Sequence, residues 1–215
     1  MTKLADLGFQ KGVIMETVVS TYGEDGKPNA APMGVVMENA HRIVIRPYTS
    51  SSTYKNLQSK KCAVVNVTSD PELFYRTAFK EANPEGNVPQ EWFEKAEIVD
   101  APRLRKADAL IEISVADVTS LGAEKVKVSC DVKLIKAARI LPRAYCRALF
   151  ATIEAIIHAT RVKTFLASDQ EKQALKLLAT ISVYRDVVNR VAPNSLYAEI
   201  MADLTKMVDS WKGQK

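Results

Sequence analysis

Between Arg46 and Asn56 the chain gathers a guanidinium, a run of hydroxyls from Thr49 through Ser50, Ser51 and Ser52 to Thr53, and the amide of Asn56. Hydroxyl donors, the free N–H groups of a first helical turn and a guanidinium that binds bidentately are what a phosphate monoester requires where glycine is missing. A Ser/Thr N-cap in a solvated loop uses one or two of these hydroxyls and leaves the others over. Upstream, Asn29, Ala30, Ala31, Pro32, Met33 and Gly34 form a strand nearly stripped of bulk. Small residues and proline weaken strand pairing; a flat ligand lying on the backbone is one reason to accept that, and an edge strand or tight strand crossing is another. Asn66 sits inside the apolar run Ala63 to Val67. There its amide either finds buried partners or points outward by strand alternation. Glu154, His158 and Arg161, at spacings of four and three, share one helix face. As weak candidates for catalysis they offer an imidazole tuned by a carboxylate for proton transfer. A solvated or inter-domain ion pair uses the same residues.

What is absent narrows the chemistry. Among 215 residues there are 8 Gly, 3 Cys and 2 His. No glycines stand at the spacing of a Walker loop or dinucleotide fingerprint. His41 and His158 are far apart, the cysteines are unpaired in spacing, and Glu154 to His158 is not a zincin pattern, so no metal site is expected. The net charge of +5 comes from lysines and arginines interspersed with acids, without a basic run interleaved with aromatics; nucleic acid is not an expected partner. The N-terminal segment contains Asp6 and no uninterrupted apolar stretch, and no segment approaches the ~20 apolar residues of a membrane span. A soluble cytoplasmic protein is expected.

These residues must be positioned by something, and the pattern says what. Val13–Thr21, Pro28–Glu38, His41–Arg46, Cys62–Thr68, Ala109–Ala116 and Val126–Leu134 read as strands, with a glycine-bearing turn at Tyr22–Gly26. The last of them alternates apolar and polar residues, which fits a half-exposed sheet edge. A short helix is expected from the hydroxyl run through Leu57, and another opened by Asp70 and Pro71. Beyond Pro142 the period becomes helical: 144–166 with a stripe of Leu149, Ile153, Ile156 and Ile157, then 171–191 with Leu177, Ile181, Tyr184, Val188 and Val191, then 196–211. Runs of strands before runs of helices make an α+β layout, with a small closed antiparallel barrel as one solution.

Four segments in order, ETVVSTYGEDGKPNAAPMGVVM from Glu16, RPYTSSSTYKNL from Arg46, CAVVNVTSDPELF from Cys62 and EAIIHATR from Glu154, resemble the DUF447 family. That family belongs to the flavin-reductase-like proteins with an FMN-binding antiparallel split β-barrel. The resemblance implies a barrel over residues 1–141 and a C-terminal three-helix unit over 142–215 packed on it. It implies FMN as cofactor and a homodimer with FMN at the subunit interface. It implies that the backbone from Asn29 through Ala30, Ala31, Pro32 and Met33 to Gly34 faces the isoalloxazine ring. Arg46, Thr49, Ser50, Ser51 and Thr53 would hold the phosphate, and Asn56 and Asn66 would contact ribityl or ring. The implied function is that of a flavin-dependent oxidoreductase acting on a small molecule. A flavin carrier, sensor or binding module without turnover is the alternative.

Overall fold

The computed structural model describes residues 2–137, 146–168 and 170–212. These divide into two compact units, Met1–Thr68 with Phe79–Leu141, and Ser69–Ala78 with Pro142–Lys215. The expected boundary between 141 and 142, and residues 144 and 145 of the expected first long helix, lie outside the described residues.

In the first unit, strand β1 (Ile14–Tyr22) turns back through Gly23 and Gly26 into β2 (Pro28–Asn39). Gly26 has φ +76°, a conformation that costs other residues energy, and Gly23 N–H donates to Lys27 O at 2.8 Å to close the hairpin. Then follow β3 (Arg42–Ile45), helix α1 (Ser52–Lys60) and β4 (Cys62–Val67). Helix α2 (Pro71–Ala78) belongs to the other unit, although it lies between barrel strands in sequence. The expected start signal is in place: Asp70 Oδ1 accepts from Glu72 N–H at 2.8 Å and Pro71 opens the helix. The unit continues with a short hairpin, β5 (Phe93–Lys95) and β6 (Pro102–Leu104), and two long strands, β7 (Ala109–Ser120) and β8 (Val126–Ala137).

Strands β1, β2, β3, β8, β7 and β4 close in that order into an antiparallel barrel. Alternation sorts their side chains: Val19, Val35, Ile43, Val65, Ile111 and Val128 fill the interior. On the outer face of β4 and β7, Val64 and Leu110 are covered by Ala96, Val99 and Ala101 of the β5–β6 hairpin. One expectation is corrected here. β8 is not a sheet edge, because it pairs with β3 from Arg42 to Ile45 and with β7 along its length; its wet face is the outside of a closed barrel.

The barrel interior also sets the chemistry of Cys130. Fully buried between strands, its thiol is pushed up to about 12 by desolvation, with Asp131 adding to the effect. Since the thiolate is the reactive form, Cys130 should stay unlabelled when the native protein is treated with a thiol reagent at pH 8, and react once denaturant opens the barrel. Mass spectrometry of the Cys130 peptide checks this; labelling under native conditions would contradict the burial.

In the second unit α2 stands with α3 (Arg147–Ala167), α4 (Glu171–Val191) and α5 (Leu196–Lys212). The expected Leu149, Ile153 and Ile157 stripe of α3 is only half-buried; of that set Ile156 alone is in the core. The buried seam is instead Ala148, Ala151, Ala155 and Ala159, with Thr152 and Val162. Small side chains at helical spacing let neighbouring helices approach closely, a gain that an apolarity pattern weighted toward large residues overlooks. On α4, Ile181 and Val188 are buried as expected and are joined by Ala174, whereas Val191 is exposed.

Candidate functional site

The low-bulk strand occupies a particular place in the barrel. β2 pairs with β1 from Pro28 to Val36, but with β3 only from Val35 to Asn39. From Pro28 to Gly34, therefore, β2 has a strand on one side only among the described residues. Every second N–H and C=O along that stretch points away from β1, and proline is tolerated there because no ladder has to be completed. Met33 O faces β1 instead, where it accepts from Thr17 Oγ1 at 2.9 Å. Ala30 is fully buried, while Ala31, Pro32, Met33 and Gly34 are half-buried. Gly34 has a local explanation as well: a Cβ there would stand 2.8 Å from Ile14 Cγ2 across the hairpin. The strand is thus the edge that its composition allowed, and its small side chains leave that edge accessible.

The hydroxyl run divides into spent and free members. Ser51 is the N-cap of α1: its Oγ accepts from Tyr54 N–H at 3.2 Å and donates to Tyr48 O at 2.7 Å. Thr49 Oγ1 donates to Glu124 O at 3.3 Å. Ser50, Thr53 and Arg46 have no side-chain hydrogen-bond or ion-pair partner among the described residues. Thr53 is only 2% exposed as a residue. Arg46 is exposed at the end of β3, where alternation from Ile45 turns it outward.

Asn56 and Asn29 meet a shared strand position from two sides. Asn56 Nδ2, one turn into α1, donates to Thr21 Oγ1 at 2.9 Å. Thr21 is the register partner of Asn29, so the two side chains leave the hairpin on the same face. Asn29 Oδ1 accepts from the ammonium of Lys80, and Asn29 Nδ2 is buried without a partner. Lys80 lies in a one-turn helix, Lys80–Ala82, and desolvation lowers its pKa below the usual lysine range. No carboxylate pairs with it among the described residues. Sequence reading passes over Lys80, since nothing in Phe79-Lys80-Glu81-Ala82 distinguishes it from a surface lysine and its partner is 51 residues away.

Asn66 requires a correction. It points outward from the barrel, as alternation allows, but the β5–β6 hairpin covers it and it is 0% exposed. Its Nδ2 donates to Val18 O at 2.9 Å and Ser20 Oγ at 2.8 Å, and its Oδ1 accepts from Leu104 N–H at 2.8 Å. With donors and acceptor spent inside the protein, Asn66 has no amide left for a ligand. It fastens β4 to β1 and β6. Glu112, unremarked in the β7 alternation, is likewise 0% exposed and accepts three consecutive backbone N–H groups of the β5–β6 turn.

Glu154, His158 and Arg161 fall in the second unit, while all the cofactor-site candidates lie in the first. Glu154 and Arg161 are exposed and neither forms an ion pair with His158 among the described residues. His158 Nδ1 is buried without a partner and the ring stands 5.8 Å from that of Tyr184. Burial lowers the imidazole pKa; Glu154 opposes this and Arg161 adds to it. The unfolded chain therefore takes up the proton more readily than the folded one. Stability is full above an ordinary histidine pKa of ~6.5 and falls as pH drops below it. Thermal melts at pH 7.5 and 5.5 should show a smaller loss for His158→Gln than for the wild type; equal losses would remove His158 from the account.

Among the described residues no three His, Cys, Asp or Glu side chains cluster as a metal would need, and no helix is long and apolar enough to cross a membrane. The residues present fit FMN on their own geometry. An open strand edge bordered by small side chains suits a flat ring, idle hydroxyls and a guanidinium around a helix start suit a phosphate, and the orphan Asn29 amide awaits an acceptor.

This is the FMN-binding split-barrel architecture of the flavin-reductase-like proteins, here followed by helices. Residues 15–138 match the model of the N-terminal domain of a protein of unknown function, DUF447, and the chain belongs to that family. It is similar to an FMN-bound DUF447 protein from Methanosarcina mazei, with 25% identity and a TM-score of 0.76 over 94% of this chain and 98% of that one. A second likeness, to nitrilotriacetate monooxygenase component B from Bacillus cereus, has 17% identity and a TM-score of 0.50 over 62% of this chain and 75% of that one, and speaks to the fold alone.

Proposed function

We propose that this chain binds FMN at the open edge of β2 and the start of α1 and works as a flavin-dependent oxidoreductase on a small molecule. The observation that carries the reading is the stretch Pro28–Gly34, paired on its β1 side alone among the described residues, in the same unit as the idle groups of Arg46, Ser50 and Thr53. The FMN-bound family member matched along nearly its whole length supports it. The flavin supplies the electron transfer. The protein's part is to hold and orient it: backbone groups of Ala30 to Gly34 toward the ring, Ser50, Thr53, Arg46 and the N–H groups of the first turn of α1 toward the phosphate. In this reading two copies pair in the cytoplasm and the cofactor lies between them.

FMN fluorescence should be quenched on titration with the wild-type protein, and bound flavin should bleach anaerobically with NADH, NADPH or another hydride donor. Quenching without bleaching by any donor would leave a carrier in place of an enzyme. The double variant Arg46→Ala, Thr53→Ala removes one charged and one neutral hydrogen-bonding group from the phosphate, ~3 kcal/mol together. That corresponds to about a hundredfold weaker FMN binding with riboflavin affinity unchanged. Unaltered FMN affinity would move the phosphate elsewhere.

A further inference from the structure

Lys80 is left unexplained by the proposed site. Lys80 is half-buried; withdrawing an ammonium even partly from water without a counter-charge is costly, and folds ordinarily place a carboxylate beside it. Here its protein partner is a neutral amide oxygen, Asn29 Oδ1. That bond also fixes which way the Asn29 amide faces, leaving Nδ2 as a second buried donor without an acceptor. A charged donor held only by a neutral oxygen, next to an amide N–H without an acceptor, suits an electron-rich atom supplied from outside the chain. Desolvation depresses the lysine pKa.

Position separates two possible uses of that charge. Lys80 meets β2 at Asn29, where the open segment begins, and Asn29 lies opposite Thr21, which bonds Asn56 in the middle of α1. Ser50 and Thr53, proposed above for the phosphate, flank the N-cap Ser51 instead. The charge therefore belongs to the ring end of the site. Adding two electrons and one proton to oxidised flavin leaves a reduced ring with one negative charge, and a nearby cation favours that form.

We propose that Lys80, held against Asn29, provides the positive charge that makes this protein bind reduced FMN more tightly than oxidised FMN. This rests on the flavin reading above.

The test is the reduction potential of the bound cofactor, measured by anaerobic dithionite titration against a reference dye, with dissociation constants for FMN and riboflavin. Lys80→Met should lower the ratio of reduced to oxidised affinity at least tenfold, ~30 mV for a two-electron couple. Lys80→Arg should hold it within about threefold. Asn29→Asp keeps the lysine but gives it a counter-charge, and should lower the ratio as Lys80→Met does; it decides the matter if the methionine variant fails to fold. An unchanged ratio in Lys80→Met, or in Asn29→Asp, overturns the proposal while leaving FMN binding intact. Equal weakening of both redox states of FMN with riboflavin spared would assign Lys80 to the phosphate and overturn it as well. A wild-type chain that binds no flavin removes the flavin reading and this one together, before any variant is made.

Discussion

Glu112→Ala is expected to lower the stability of the barrel unit by ~4 kcal/mol, enough to leave much of the protein unfolded at moderate temperature. Glu112 stands in β7, opposite Val64 of β4, on the outer face of the barrel. Its carboxyl oxygens accept from Glu97 N–H at 2.7 Å, Ile98 N–H at 2.7 Å and Val99 N–H at 3.0 Å. Three consecutive N–H groups converging on one acceptor form a concave nest, and a carboxyl group is a matching occupant. Alanine would leave these donors without a partner beneath the hairpin, at ~1–3 kcal/mol for each buried group, reduced where water enters the gap. Loss of the nest also loosens Val99 and Ala101 from Val64 and Leu110, a cost in buried apolar surface. Glu112→Gln retains one carbonyl oxygen but turns an NH2 toward an N–H donor, and should cost about half as much. Urea unfolding followed by circular dichroism separates the three proteins by their midpoints. A shift of less than ~1 kcal/mol for Glu112→Ala would mean that the hairpin is held by its apolar contacts alone.

Asn66→Asp should cost ~3–5 kcal/mol, although it changes only an NH2 to an oxygen. The wild-type amide divides its labour: Oδ1 accepts from Leu104 N–H, and Nδ2 donates toward Val18 O and Ser20 Oγ. Ser20 Oγ in turn donates to Pro102 O at 2.5 Å, so the chain of bonds runs from β4 through β1 to β6. A carboxylate keeps the bond to Leu104 but faces the Val18 carbonyl with a second acceptor, and buries a charge beneath the hairpin. Networks of this kind lose more than one bond when one member is reversed. Asn66→Ala removes the same bonds without adding a charge and should cost less. Because Asn66 has no free donor or acceptor, either variant should retain FMN affinity within about threefold at temperatures where it is folded. A larger loss of affinity than of stability would return Asn66 to the cofactor site.

Both residues mark the limit of what alternation conveys. Asn66 and Glu112 each leave the barrel on its outer face, as period two allows. They are buried because the hairpin from Phe93 to Leu104 folds over that face, and its strands of three residues each are too short to announce themselves. The proposed site is legible in a similar, partial way. The hydroxyl run and the low-bulk strand stand out by composition. Yet Ser51 and Thr49 turn out to be occupied with α1 and the loop at Glu124, and Lys80 reaches Asn29 from a segment that no motif connects to it.

The sequence by itself determined the strand and helix alternation, the Asp70–Pro71 helix start, the lack of a glycine phosphate loop and membership of a flavin-linked family. These are properties of neighbours in the chain, set by side-chain period, by φ preferences and by local capping. Only the tertiary structure decided that β8 closes a barrel instead of edging a sheet, that β2 has a strand on its β1 side alone from Pro28 to Gly34, that α3 packs through alanines, and that a lysine without a carboxylate partner among the described residues lies beside Asn29. Each of these depends on which distant segments come to share a hydrogen bond or a packing surface. That follows from closing the barrel as a whole, and no local pattern encodes it.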